Sequence, residues 1–84
     1  MDMPTIIYVN GWRLFFFSNE GSEPIHVHAE KGGKACKYWI HPIERNFSLA
    51  WSYQMNGRDR RIVESIITDN FDLILWFWDK HFYL

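Results

Sequence analysis

The chain has 84 residues, nine Lys or Arg against ten Asp or Glu, and a formal net charge of −1. That length allows one domain, residues 1–84, near the small end of what folds without metal or disulfide help. The charge balance excludes a broad basic field for nucleic acid, so any RNA contact must rest on a local patch, and the single Cys36 excludes an internal disulfide and fits a reducing cytoplasm.

Thr5 to Val9 is a β-branched and aromatic run, and Asn10-Gly11 after it is a strong hairpin signal. Trp12 to Phe17 is then the return strand. Counting outward from the turn puts Ile7, Val9, Trp12, Leu14 and Phe16 on one face. Ile6, Tyr8, Arg13, Phe15 and Phe17 fall on the other. Ser18 to Pro24 reads as a loop, with Glu20 and Glu23 adding charge.

Glu23 to Ile40 reads as a second hairpin, in which Gly32-Gly33 is expected to supply the positive backbone angles of a type I′ turn. Counting outward pairs Lys31 with Lys34, Ala29 with Cys36, His28 with Lys37, Val27 with Tyr38 and His26 with Trp39. Ile25, Val27, Ala29, Cys36, Tyr38 and Ile40 then form a core face. His26, His28, Glu30, Lys37 and Trp39 form the opposite one. The next segment, Ile43 to Tyr53, alternates Phe47, Leu49 and Trp51 with small residues, which reads as a short fifth strand or a loop.

Asn56 with Asp59 three residues on is a capping-box start for a helix over Arg58 to Asp69, with Ile62, Val63, Ile66 and Ile67 on one stripe. Phe71 to His81 or Phe82 is a second helix, apolar on more than one stripe. The fold class is α+β: an antiparallel sheet of four or five strands, built from two hairpins, with two C-terminal helices packed on one face. Phe71 to Trp78 is too short to cross a bilayer and Met-Asp-Met-Pro-Thr is no leader, so no membrane contact is expected.

The chemistry lies on the second hairpin. Histidines two apart on a strand project the same way, about 7 Å apart. One can act as base and the other as acid near neutral pH. Lys37 could neutralise a phosphoryl oxygen, Arg13 and Glu30 could help bind substrate, and Trp39 offers a stacking surface for a base. His26, His28 and Lys37 are therefore the candidate catalytic groups for metal-independent RNA cleavage or RNA binding, with no cofactor. Two other readings stand beside it. One is a zinc site of His26, His28 and Glu30, which supplies three ligands and an open position. The other is a solvated face whose histidines cover the rings below. The surplus aromatics Trp76, Trp78 and Phe82 suggest an interface for a homodimer or a small partner protein.

Arg13-Leu14-Phe15-Phe16-Phe17-Ser18-Asn19-Glu20, then Pro24-Ile25-His26-Val27-His28, then Lys31-Gly32-Gly33 before an aromatic strand resemble a small bacterial family, domain of unknown function 4160. The resemblance runs from Pro4-Thr5-Ile6 into the Trp76-to-Phe82 helix. This chain departs from the family's Pro-Pro-His by placing Ile25 before His26, and its second helix is less polar than usual. The resemblance implies an α+β fold, a bacterial cytoplasmic protein, and a toxin–antitoxin-like arrangement with a ribonuclease-like toxin or its partner. Only His26 and His28 carry over, as the motif's signature positions.

Overall fold

The computed structural model describes residues 3–82. Five strands follow one another, β1 (Thr5–Val9), β2 (Trp12–Phe15), β3 (His26–Lys31), β4 (Lys34–His41) and β5 (Asn46–Tyr53), and two helices complete the chain, α1 (Gly57–Asp69) and α2 (Phe71–Phe82). The strands lie in the order β1-β2-β3-β4-β5, an antiparallel meander in which each pairs with its sequence neighbour. This is the α+β architecture expected, with the fifth strand formed.

The central hairpin has the counted register, from Lys31↔Lys34 out to His26↔Trp39. Its turn differs from the expectation. Gly32 alone carries a left-handed φ, 60°, the pattern of a type II′ turn rather than type I′. At Asn10-Gly11 both residues have positive φ, 50° and 83°, as type I′ requires.

Two bulges re-aim side chains. In β1 the register slips between Thr5 and Ile7, so Thr5 rather than Ile6 faces Phe15. Ile6 is thereby freed to join the core with Trp12, Leu14 and Phe16. In β5 the register slips at Ala50: Leu49 faces Tyr38, but Trp51 faces Lys37. Phe47 and Leu49 therefore share the core face of Tyr38, while Trp51 and Tyr53 turn to the face of the histidines.

The core lies between one sheet face and the helices. Val27, Ala29, Cys36, Tyr38 and Ile40 meet Val63, Ile66 and Ile67 of α1 and Phe71, Ile74 and Trp78 of α2. Full burial of each large apolar side chain contributes about 1.5–3 kcal/mol. The start of α1 is fixed by the expected capping box: Asp59 N–H donates to Asn56 Oδ1 at 2.8 Å and Asn56 N–H to Asp59 Oδ2 at 3.2 Å. Two polar contacts pin α1 to β4, Lys34 Nζ to Asp59 Oδ1 at 3.0 Å and Tyr38 Oη–H to Glu64 Oε2 at 2.7 Å. Burial and the Glu64 hydrogen bond push the Tyr38 phenol well above its ordinary pKa, so it stays protonated and donates to Glu64.

On α2 the residues facing the sheet are Phe71, Ile74 and Trp78, with Phe82 one turn further on. The structure thus corrects two of the three expected interface positions. Trp78 has no exposed surface, and Phe82 packs on Trp78 at 4.3 Å and Phe16 at 5.3 Å between ring centroids. Trp76, on the opposite side of the helix, is the one left at the surface.

Candidate functional site

The segment between β2 and β3 determines what the histidine face becomes. Two successive turns, Glu20 N–H to Phe17 O at 3.2 Å and Glu23 N–H to Glu20 O at 3.0 Å, fold it back over the sheet. This brings two carboxylates down onto the cations beneath. Glu20 meets His26 and His28, and Glu23 Oε1 accepts from Lys37 Nζ at 2.6 Å. The side face of the hairpin is therefore covered, not solvated. His26 has no exposed side-chain surface, His28 only 7% and Glu20 15%.

Glu20 Oε1 lies 2.8 Å from His26 Nε2 and 3.0 Å from His28 Nε2, and Oε2 lies 3.2 Å from His28 Nε2. Phe17 N–H donates to the same Oε1 at 3.0 Å. Behind it, His26 Nδ1 lies 2.9 Å from the Pro24 carbonyl oxygen. A carbonyl oxygen only accepts, so Nδ1 carries the hydrogen. Nε2 of a neutral His26 would then turn a lone pair toward a carboxylate oxygen, two acceptors face to face. Something positive must stand between them, either a proton on Nε2 or a metal ion.

Aromatic rings close the surroundings. Phe15 stacks on His28 at 5.3 Å, Phe17 meets it edge-on at 5.0 Å, and Trp51 lies 6.1 Å away. His26 contacts Trp78 at 5.0 Å and Trp39 at 5.7 Å. Burial in this box pulls the His28 pKa below its ordinary value, against the opposing pull of the Glu20 charge. For Glu20, burial would raise the pKa, but the His26 hydrogen bond, the Phe17 N–H and the two imidazoles outweigh it, and the net shift is downward. At neutral pH the site therefore holds an ionised carboxylate beside a neutral His28.

The other expected site residues divide. Lys37 lies opposite His28 but is tied to Glu23 and rests over the Trp39 ring at 4.3 Å. Arg13 is far along the strand, opposite Glu30, and is spent on three partners: Glu30 Oε1 at 3.2 Å, Thr5 Oγ1 at 2.8 Å and the Met3 carbonyl at 2.6 Å. Glu30 is thus Arg13's partner and stands apart from the histidines; as the third ligand of a metal set it is replaced by Glu20. Glu20, His26 and His28 have ligand atoms all within 4.8 Å of one another, the one such cluster among the described residues. Cys36 faces the core on the other side of the sheet, fully buried, with its thiol pushed up to about 12 by that burial. A shallow cavity of about 290 Å³ lined by Pro4, Phe77, Lys80 and His81 shares no residue with the cluster.

Residues 11–79 match the family described as Domain of unknown function (DUF4160). The chain belongs to that family. The match takes in β2 through most of α2, and with them the folded-back loop and both histidines of this DUF4160 chain. No curated protein and no solved structure matches it. No helix among the described residues is long and apolar enough to cross a membrane.

Proposed function

We propose that this DUF4160 chain binds one divalent transition-metal ion, zinc foremost, through Glu20, His26 and His28, and that the ion rather than the bare imidazoles is its chemical centre. The observation that carries this is the His26 ring: Nδ1–H is committed to the Pro24 carbonyl, so Nε2 turns its lone pair toward the point where His28 Nε2 and the Glu20 carboxylate also converge. A backbone carbonyl holding the far nitrogen is the usual way a metal-binding imidazole is oriented. Two nitrogens and one carboxylate are a zinc donor set that leaves a fourth position for water or substrate. Tetrahedral ligands about 2.0–2.2 Å from an ion stand roughly 3.3 Å apart. The two Glu20–imidazole separations, 2.8 and 3.0 Å, need to spread by only a few tenths of an ångström, and all the ligand atoms lie within 4.8 Å of one another. A bound ion would lower the pKa of its water and polarise a carbonyl or phosphoryl oxygen.

RNA is the second reading, favoured by Trp39 and Trp51 flanking the pair with Lys37 beside them. The metal-independent form of that reading is weakened because His26 has no surface with which to meet a phosphate. Arg13 and Lys37 are already paired with Glu30 and Glu23, so this face offers phosphate little free positive charge. In a toxin–antitoxin-like pair the chain would then be the member that cuts RNA, with the metal.

The test is a calorimetric zinc titration of metal-stripped protein beside Glu20→Gln and His28→Gln. One ion per chain, lost in both variants, is expected. No uptake, or uptake unchanged in the variants, overturns the proposal and leaves a buried imidazolium–carboxylate pair. Labelled single-stranded RNA incubated with and without EDTA tests the second reading, and cleavage that survives EDTA would remove the metal from it.

A further inference from the structure

We infer that β5 is a self-pairing edge, through which two copies of this chain join their sheets into one. β5 has a strand neighbour on one side only, β4. Its eight residues, Asn-Phe-Ser-Leu-Ala-Trp-Ser-Tyr, include no charge and no proline, two of the devices by which edge strands avoid pairing. The opposite edge, β1, is five residues long and packs against α2. Leu49, Trp51 and Tyr53, all on β5, are three of the large apolar side chains at the surface, Tyr53 at 60% exposure.

The occupant is a second copy because the strand is complementary to itself. A twofold axis through an antiparallel pair sets the first half of β5 against the second half of its mate. The slip at Ala50 decides which positions share a face, putting Phe47 and Leu49 on the helix side and Trp51 and Tyr53 on the other. The register that matches faces places Tyr53 opposite Asn46, Trp51 opposite Ser48, Phe47 opposite Ser52 and Leu49 opposite Ala50. Trp51, Phe47 and Leu49 then each meet Ser or Ala, Tyr53 meets Asn46, and no two charges are opposed. Without the bulge, Trp51 would lie on the helix side and the pattern would fail.

Sedimentation of the full chain over a wide concentration range, with EDTA so that metal plays no part, tests this. A concentration-dependent dimer is expected. Leu49→Lys sets two ammonium groups beside the twofold axis and should raise the dissociation constant about tenfold or more. Leu49→Glu should do the same, and mixing the two variants should restore the dimer, which also shows that both fold. Trp76→Ser should leave it intact. A monomer at all concentrations, a dimer indifferent to both Leu49 variants, or one lost in Trp76→Ser overturns the inference.

Discussion

Removing the Glu20 carboxylate shows how strongly the folded-back loop is held to the sheet. Oε1 accepts from Phe17 N–H, and both imidazoles point Nε2 at the carboxylate. Glu20→Ala strips all three of their acceptor at once. His26, with no exposed surface, cannot turn to water instead. Breaking a buried charged contact from one side costs about 3–5 kcal/mol. Glu20 retains 15% exposure, which places the loss near the lower end, about 3 kcal/mol. A chain of this size holds about 4–13 kcal/mol in total, and each kcal/mol moves Tm by about 4–8 °C. Tm should therefore fall by about 12–24 °C. Glu20→Gln, which keeps the shape and one acceptor oxygen, should lose about half as much. The assay is thermal and urea unfolding at neutral pH in EDTA, with the exposed Glu44→Ala as control. A Glu20→Ala stability within about 0.5 kcal/mol of wild type, the range of ordinary surface changes, refutes the claim that this carboxylate locks the loop.

Acid should destabilise the protein in two steps. His28 has a folded pKa below its ordinary 6.5, so the unfolded chain takes up the proton first, and stability complete above about pH 6.5 declines as pH falls toward the folded value. Glu20, also lowered, adds stability present above its ordinary value of 4.5 that is lost as pH falls through its folded pKa. Urea midpoints across pH should lose the upper step in His28→Gln and the lower one in Glu20→Gln. Cys36, fully buried and with its thiol at about 12, should not react with a thiol reagent until the protein unfolds; reaction at the rate of a free thiol in native buffer would contradict this. Asn56→Ala removes one half of the capping box and should cost about 1 kcal/mol by urea unfolding. A Cβ on Gly21 would stand 2.5 Å from Phe82 Cδ1. Gly21→Ala should push that ring off Phe16 and Trp78 at a cost of about 1–3 kcal/mol, read as a lower Tm with no change in far-ultraviolet circular dichroism.

Much of the sheet is legible in the chain. A two-residue loop at Gly32-Gly33 leaves one register, and alternation then sorts the histidines from Val27, Cys36 and Tyr38. The capping pair Asn56 and Asp59 sets the first helix in the same local way. What escapes is tertiary. Alternation says that His26 and His28 share a face, but not that a loop returns to cover it. Glu20 is six residues before His26, in a run that reads only as a turn. The sole hint is that two loop carboxylates, Glu20 and Glu23, precede a strand pair bearing three groups that attract them. The slips at Ile6 and Ala50 have no glycine to announce them, and the second moves Trp51 across the sheet. Glu30 and Arg13 are separated from the site by their own pairing, which depends on how β2 lies beside β3.

The meander order also governs how the chain reaches this structure. Each strand finds its partner among residues just made, so every pairing closes a short loop, and chains dominated by such local contacts fold quickly. The helices come last in the chain, and until they dock, Val27, Cys36, Tyr38 and Ile40 have no cover. The vulnerable moment is then the interval between a finished sheet and a docked α2. A truncation before Phe71, or a ribosome pausing there, would leave a five-stranded sheet whose apolar face α1 covers only in part, beside an uncharged edge, and such a species should aggregate rather than wait.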